Sequence, residues 1–179
     1  REELLQLGEI CIEHEVRIIS DEVHSDLLRN GRKHLPMAKL FPDYKHIITC
    51  MAPSKSFNLA GNMMSHIFIP DQSLRSRWKK LYNDYHSPLS VVATQAAYEH
   101  GAAWLHQVNT YIDSNLNYLH DLLQTSLPLA RFEIPEATYL AWVDLSPYQH
   151  KMGAMDSWTS FFAKKAGVLI EGGEMFVAN

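Results

Sequence analysis

Two short apolar runs near the start of the chain each give way to a charged residue, and this pairing constrains the fold more than any other feature. Val16-Arg17-Ile18-Ile19-Ser20 runs into Asp21, and His46-Ile47-Ile48-Thr49-Cys50-Met51 is followed by an Ala52-Pro53-Ser54 turn and then Lys55. Both runs read as short strands by length and β-branched content. Leu4, Leu7 and Cys11 recur at helical spacing within residues 1–15, so a helix feeds the first strand. If the two strands lie in one largely parallel sheet, Asp21 and Lys55 emerge together at its carboxyl edge, where open α/β sheets bind ligands.

A Gly- and Pro-containing stretch from Asn30 to Asp43 separates these strands, and Met64-Ser65-His66-Ile67-Phe68-Ile69, closed by Pro70, reads as a third. Helical patterns then cover Asp71 to Asp84, Ser90 to His100, and Ala103 to about Leu123. After Pro128 the texture becomes that of a small α+β unit. Strand-like segments at Ala130–Ile134, Tyr139–Leu145 and Val168–Ile170 accompany a helix from about Met155 to Ala166. The division is placed near Gly101, giving residues 1–101 and 102–179 as the two domains.

Composition narrows the function classes. The 179 residues carry 16 basic and 20 acidic side chains, interspersed, for a net charge of -4, so no phosphate-backbone footprint is expected and nucleic acid is not an expected partner. Two cysteines, Cys11 and Cys50, exclude a disulfide framework or a Cys-based zinc site and read as reduced thiols. Glu13-His14-Glu15 and the other histidines lack paired ligand spacing, so no metal is expected. No stretch approaches the ~20 apolar residues of a membrane span, and Arg1-Glu2-Glu3 is no signal peptide. A soluble, cytoplasmic protein is expected. The chain opens without Met inside an amphipathic pattern and stops at Val177-Ala178-Asn179, which reads as a piece of a longer protein. Trp78, Tyr82 and Tyr85, at helical spacing, read as packing or a dimer surface. Gly172-Gly173 reads as a turn.

The acid and the amine define the candidate chemistry. A carboxylate holds a pyridine nitrogen protonated and so makes the ring an electron sink, while an amine forms a Schiff base with an aldehyde. These are the two main demands of pyridoxal phosphate. The words around them are specific. Ile19-Ser20-Asp21-Glu22-Val23-His24-Ser25-Asp26-Leu27 resembles the "SDEIHSDL" segment of the cystathionine β-lyase-like branch of class I/II aminotransferases. Ala52-Pro53-Ser54-Lys55-Ser56-Phe57-Asn58-Leu59-Ala60-Gly61 resembles that branch's lysine motif, and the spacing between the two fits. Ala93 to Gly101, Trp104-Leu105 and Tyr111 to Asn115 resemble the family's connector, and Glu136 to Asp144 resembles the start of its small domain.

The resemblance implies an α/β fold of the fold type I, PLP-dependent transferase class: the second half of the large parallel-sheet domain followed by a small C-terminal α+β domain. It implies pyridoxal 5′-phosphate as cofactor, with Lys55 catalytic and holding the aldehyde, Asp21 on the pyridine nitrogen, His24 beside the cofactor and Ser54 near its phosphate. His24 stands where many aminotransferases carry a tyrosine, and either contacts the cofactor or only packs beside the site. Met63 stands where aspartate-aminotransferase-like enzymes carry a phosphate-binding arginine. The family's phosphate loop, ring-stacking aromatic and cofactor-contacting Asn fall upstream of this chain, and its carboxylate-gripping arginine falls beyond Asn179. A homodimer acting on a small amino-acid substrate is implied. Three functions remain open: a carbon–sulfur β-lyase, expected to be inactive as this piece alone; an aminotransferase using the same residues; and a non-catalytic binding module.

Overall fold

A computed structural model describes residues 1–82, 85–152 and 156–176. They form two compact units, one of the described residues within 1–117 and 134–140, the other of those within 118–133 and 141–176.

In the first unit, α1 (Glu2–Glu13) opens with Glu2 and Glu3, whose charge complements the positive end of the helix dipole. It ends where Glu15 turns the chain at φ 52° and Val16 N donates to Cys11 O at 2.8 Å. The next residues enter β1 (Ile18–Asp21). Helix α2 (Met37–Leu40) follows, inside the stretch whose Gly and Pro give no helical signal. Strand β2 (Ile47–Met51) lies parallel to β1, pairing Ile18 with Ile47 and Asp21 with Cys50. The carboxyl ends of both strands therefore coincide. Helix α3 (Pro53–Ser56) starts at once, with Ala52 extended as its N-cap and Pro53 in the first turn, where a missing N–H costs nothing.

Strand β3 (His66–Phe68) pairs antiparallel with β2, Met51 opposite His66, so the sheet is mixed, in the order β1-β2-β3. Its connector holds only the four-residue α3 and a 3-10 turn at Ala60–Asn62, less than the crossover helix of a parallel return. Helix α4 (Gln72–Leu81) is capped by Asp71, whose carboxylate accepts Ser73 N and Leu74 N. Asp84, the expected end of this helix, lies outside the described residues. Pro88 opens α5 (Pro88–His100), and Gly101 joins it to α6 (Ala102–Ser126). Leu27, Met37, Ile47, Ile69 and Leu116 are the buried apolar side chains of this unit.

The second unit is built around Leu123, Ala130 and Phe132. Strands β4 (Arg131–Phe132) and β5 (Val143–Asp144) pair antiparallel. Helix α7 (Gln149–Met152) follows, and α8 (Trp158–Ala166) is capped by Ser157, whose Oγ accepts Ser160 N at 3.1 Å. The expected start of α8 at Met155 lies outside the described residues. The two strands are shorter than the sequence predicts, and the segment between them bonds within the first unit instead: Glu136 O accepts Arg29 N at 3.2 Å, Thr138 N donates to Leu27 O at 2.8 Å, and Ala137 bridges Leu28. Val168–Ile170, expected as a strand, finds no partner strand among the described residues and stays irregular. No described helix is long and apolar enough to cross a membrane.

Candidate active site

The parallel β1–β2 pair brings the four residues singled out in the sequence to one edge. Asp21, the last residue of β1, is exposed, and its Oδ1 accepts Val23 N at 3.2 Å in an Asx turn that leads towards His24. Lys55 is the third residue of α3 and is exposed; among the described residues it enters no salt bridge or side-chain hydrogen bond. Ser54, one residue ahead, is half-buried, and its carbonyl accepts Leu59 N at 3.1 Å.

His24 reports on both charged residues. Burial holds its imidazole below the usual pKa, the Lys55 ammonium pushes it further down, and the Asp21 carboxylate partly offsets them. Opposite charges thus act on one ring, and its neutral form is favoured. The Asp21 carboxylate also adds to the effect of burial in raising the Cys50 thiol, its partner across the strand pair. His24 Nδ1 lies 2.9 Å from Thr138 Oγ1, and Tyr139 packs on the ring at 5.4 Å between centroids, tilted 47°.

Further residues fix the elements that carry the site. Ser56, fully buried at 1% exposure, donates to Asp26 Oδ2 at 2.7 Å and so ties α3 to the loop after β1. Asp26 O in turn accepts Asn109 Nδ2 of α6 at 2.9 Å. Phe57 stacks on Trp104 at 6.0 Å and meets Tyr98 edge-on at 5.9 Å. Gly101 makes room for that ring, since a Cβ there would overlap both Phe57 and Ala97 O. The buried Glu22 accepts Ser20 Oγ at 2.9 Å and Met37 N at 3.3 Å and pairs with His34 Nε2 at 2.7 Å, pinning the start of the loop. Arg29, 3% exposed, places Nε 3.0 Å from Asp113 Oδ1, off-line for a hydrogen bond, so attraction there is by charge.

None of the four residues lines either of two cavities. One of about 550 Å³, lined by Ile12, Glu15, Arg17, Tyr44 and His46, sits at the opposite, amino-terminal edge of the strands. Another of about 490 Å³ reaches Asp26, Phe57, His66 and Tyr98. Convergence of charge, rather than cavity size, marks the candidate site. No group of three or more His, Cys, Asp or Glu side chains suited to a metal occurs among the described residues.

The family model for class I and II aminotransferases matches residues 1–178. The chain belongs to that family. Cystathionine beta-lyase PatB of Bacillus subtilis is 41% identical, the match covering 98% of this chain and 46% of PatB. Among solved structures, the PLP-bound C-S lyase from Staphylococcus hominis shares 54% identity and superposes with a TM-score of 0.96, covering 99% of this chain and 46% of that one. Cystalysin from Treponema denticola, which contains pyridoxal 5′-phosphate, is 27% identical at a TM-score of 0.90 and covers 98% and 45%. The chain therefore spans about half the length of the relatives it matches, and its fold is part of the fold type I, PLP-dependent class.

Thr138, Tyr139, Asp26 and Asn109 carry no catalytic signal in the sequence. Thr138 and Tyr139 fall inside the Glu136–Asp144 segment, but nothing local ties them to a histidine 114 positions earlier.

Proposed function

We propose that the whole protein is a pyridoxal-phosphate-dependent carbon–sulfur β-lyase acting on cystathionine or cysteine S-conjugates, with pyruvate, ammonia and a thiol as products. The observation that carries the reading is the parallel register that sets Asp21 and Lys55 at one sheet edge, with both charges acting on His24. The names of PatB and of the S. hominis C-S lyase support elimination over transamination.

The residues fit the cofactor. Lys55 offers an amine unpaired among the described residues, and Asp21 keeps Oδ2 free there beside the engaged Oδ1. When bound, pyridoxal phosphate supplies an aldehyde for the substrate amine and a ring that draws electrons from the α-carbon. Lys55 would hold the aldehyde carbon at rest and, once freed by the substrate amine, would take the α-proton onto Nζ. The Asp21 carboxylate would hold the proton on the pyridine nitrogen, His24 would donate to a cofactor oxygen, and Ser54 would approach the phosphate, whose other ligands would come from outside this chain. Loss of the α-proton to Lys55 would let the β-carbon–sulfur bond break with its electron pair on sulfur; the thiolate would gain a proton, and Lys55, returning to the aldehyde carbon, would displace aminoacrylate, which takes up water to give pyruvate and ammonia.

In this reading residues 1–101 are the C-terminal part of the cofactor-binding domain, and 102–179 are the connector helix and part of the small domain. The protein is a cytoplasmic homodimer acting on a small amino-acid substrate. The test is made on the full-length protein. Pyruvate and thiol release from cystathionine is expected, with little amino transfer to 2-oxoglutarate; the reverse makes it an aminotransferase, and neither activity makes it a binding module. Borohydride reduction of the cofactor-loaded protein should label Lys55. Label on Lys45 or Lys79 instead would overturn the site.

A further inference from the structure

Thr138 is a β-branched residue at φ 67°, in the left-handed region that Gly and Asn enter cheaply and Thr does not. Such a conformation persists only where its surroundings over-determine it, and here they do. Thr138 N donates to Leu27 O at 2.8 Å, Ala137 bridges Leu28, Arg29 N donates to Glu136 O at 3.2 Å, and Arg32 pairs with Glu136 at 2.7 Å. The segment is thus stitched along the same loop that carries His24. A glycine would satisfy this backbone without strain, so the side chain that Thr supplies is the feature to explain. Its Oγ1 lies 2.9 Å from His24 Nδ1.

We propose that Thr138 is a positioning residue, whose hydroxyl donates to Nδ1 and fixes the His24 imidazole in one orientation and one tautomer, with the ring proton on Nε2. The hydroxyl has one proton, and Nδ1 is its sole side-chain partner among the described residues. Accepting from Nδ1–H would leave that half-buried proton without an acceptor there. The groups acting on the ring agree: Lys55 and Asp21 are the charges that reach it, Tyr139 packs on one side, and burial with Lys55 favours its neutral form. A neutral ring with Nδ1 occupied has one group to offer a ligand, the Nε2–H donor. His24 therefore serves as a fixed donor to an electron-rich oxygen and not as a general base. This deepens the lyase reading and rests on it for the identity of the oxygen, but the lock itself is a property of the protein's own residues.

The test is imidazole nitrogen NMR on the full-length protein labelled with 15N-histidine, free of cofactor, with the His24 signals assigned by loss in His24→Gln. Wild type and Thr138→Ser should both show a pyridine-type Nδ1 and a pyrrole-type Nε2. Thr138→Val keeps the branched shape without the hydroxyl, and should shift Nδ1 out of its hydrogen-bonded position and mix the tautomers. Thr138→Gly relieves the positive φ and should do the same, which keeps the test decisive if the valine variant fails to fold. An Nδ1–H tautomer in wild type, or a His24 spectrum unchanged in both Val and Gly variants, overturns the inference. Lyase activity is not read here, so failure of the proposed reaction and failure of the lock are separate results.

Discussion

At the residue scale the site contrasts two aspartates five positions apart, Asp21 at the end of β1 and Asp26 in the loop that follows. Among the described residues Asp21 keeps one carboxylate oxygen free at the strand end, whereas Asp26 spends its Oδ2 on the buried Ser56 hydroxyl of the helix that carries Lys55. The expected losses therefore differ in kind. Asp21→Ala should abolish most turnover at saturating cofactor with little change in stability, because an exposed side chain is removed. Asp26→Ala leaves a fully buried hydroxyl without its acceptor, a loss of about 1–3 kcal/mol in stability, with activity reduced only as far as α3 loosens. Turnover and urea midpoints of the two variants separate these effects, and equal turnover losses would mean that Asp21 is not the ring-charging acid.

At the element scale α3 is held from two sides, by Ser56 on the Asp26 loop and by Phe57 wedged against Gly101 at the α5–α6 junction. Gly101→Ala forces the ring away from a Cβ that also meets Ala97 O, and such overpacking costs about 1–3 kcal/mol. Because that ring is the neighbour of the Lys55 helix, the variant should also capture pyridoxal phosphate more slowly in the full-length protein, read by stopped-flow absorbance. An unchanged capture rate would mean that the wedge does not hold the helix. This arrangement also shows where sequence reading stops. The strand-end positions of Asp21 and Lys55 are legible, since each follows an apolar run within a few residues and the motifs around them are specific. Ser56 with Asp26 and His24 with Thr138 are not, because they meet across 30 and 114 positions and neither end shows a local pattern. The strand expected over Tyr139–Leu145 is cut to Val143–Asp144 for the same reason. Its first residues follow a segment bonded to Leu27, a partner that periodicity cannot name. Val168–Ile170 has strand composition but no neighbour to pair with among the described residues, and composition alone does not make a strand.

At the scale of the whole molecule, the sheet is the weak point of the 179-residue chain taken alone. Ile19 of β1 is 70% exposed and Phe68 of β3 is 56% exposed, so apolar strand residues stand in solvent. A three-stranded sheet with apolar faces and unpaired edges recruits other copies of itself. The chain also accounts for only 46% of the length of PatB and of the S. hominis lyase. Met63 is 89% exposed, and in this reading a phosphate meets only Ser54 here. Anchoring of the phosphate supplies much of the free energy that brings an aldehyde to a lysine; without it Lys55 reacts as an amine in open solution does. The isolated chain is therefore expected to self-associate, to bind pyridoxal phosphate far more weakly than the full-length protein, and to release no pyruvate from cystathionine. Titration with the cofactor, followed by absorbance alongside light scattering, measures both properties on one sample. A monodisperse chain that binds one equivalent tightly and turns over would show that Asp21, His24, Ser54 and Lys55 suffice without the rest of the relatives' length, and would place phosphate anchoring within these 179 residues.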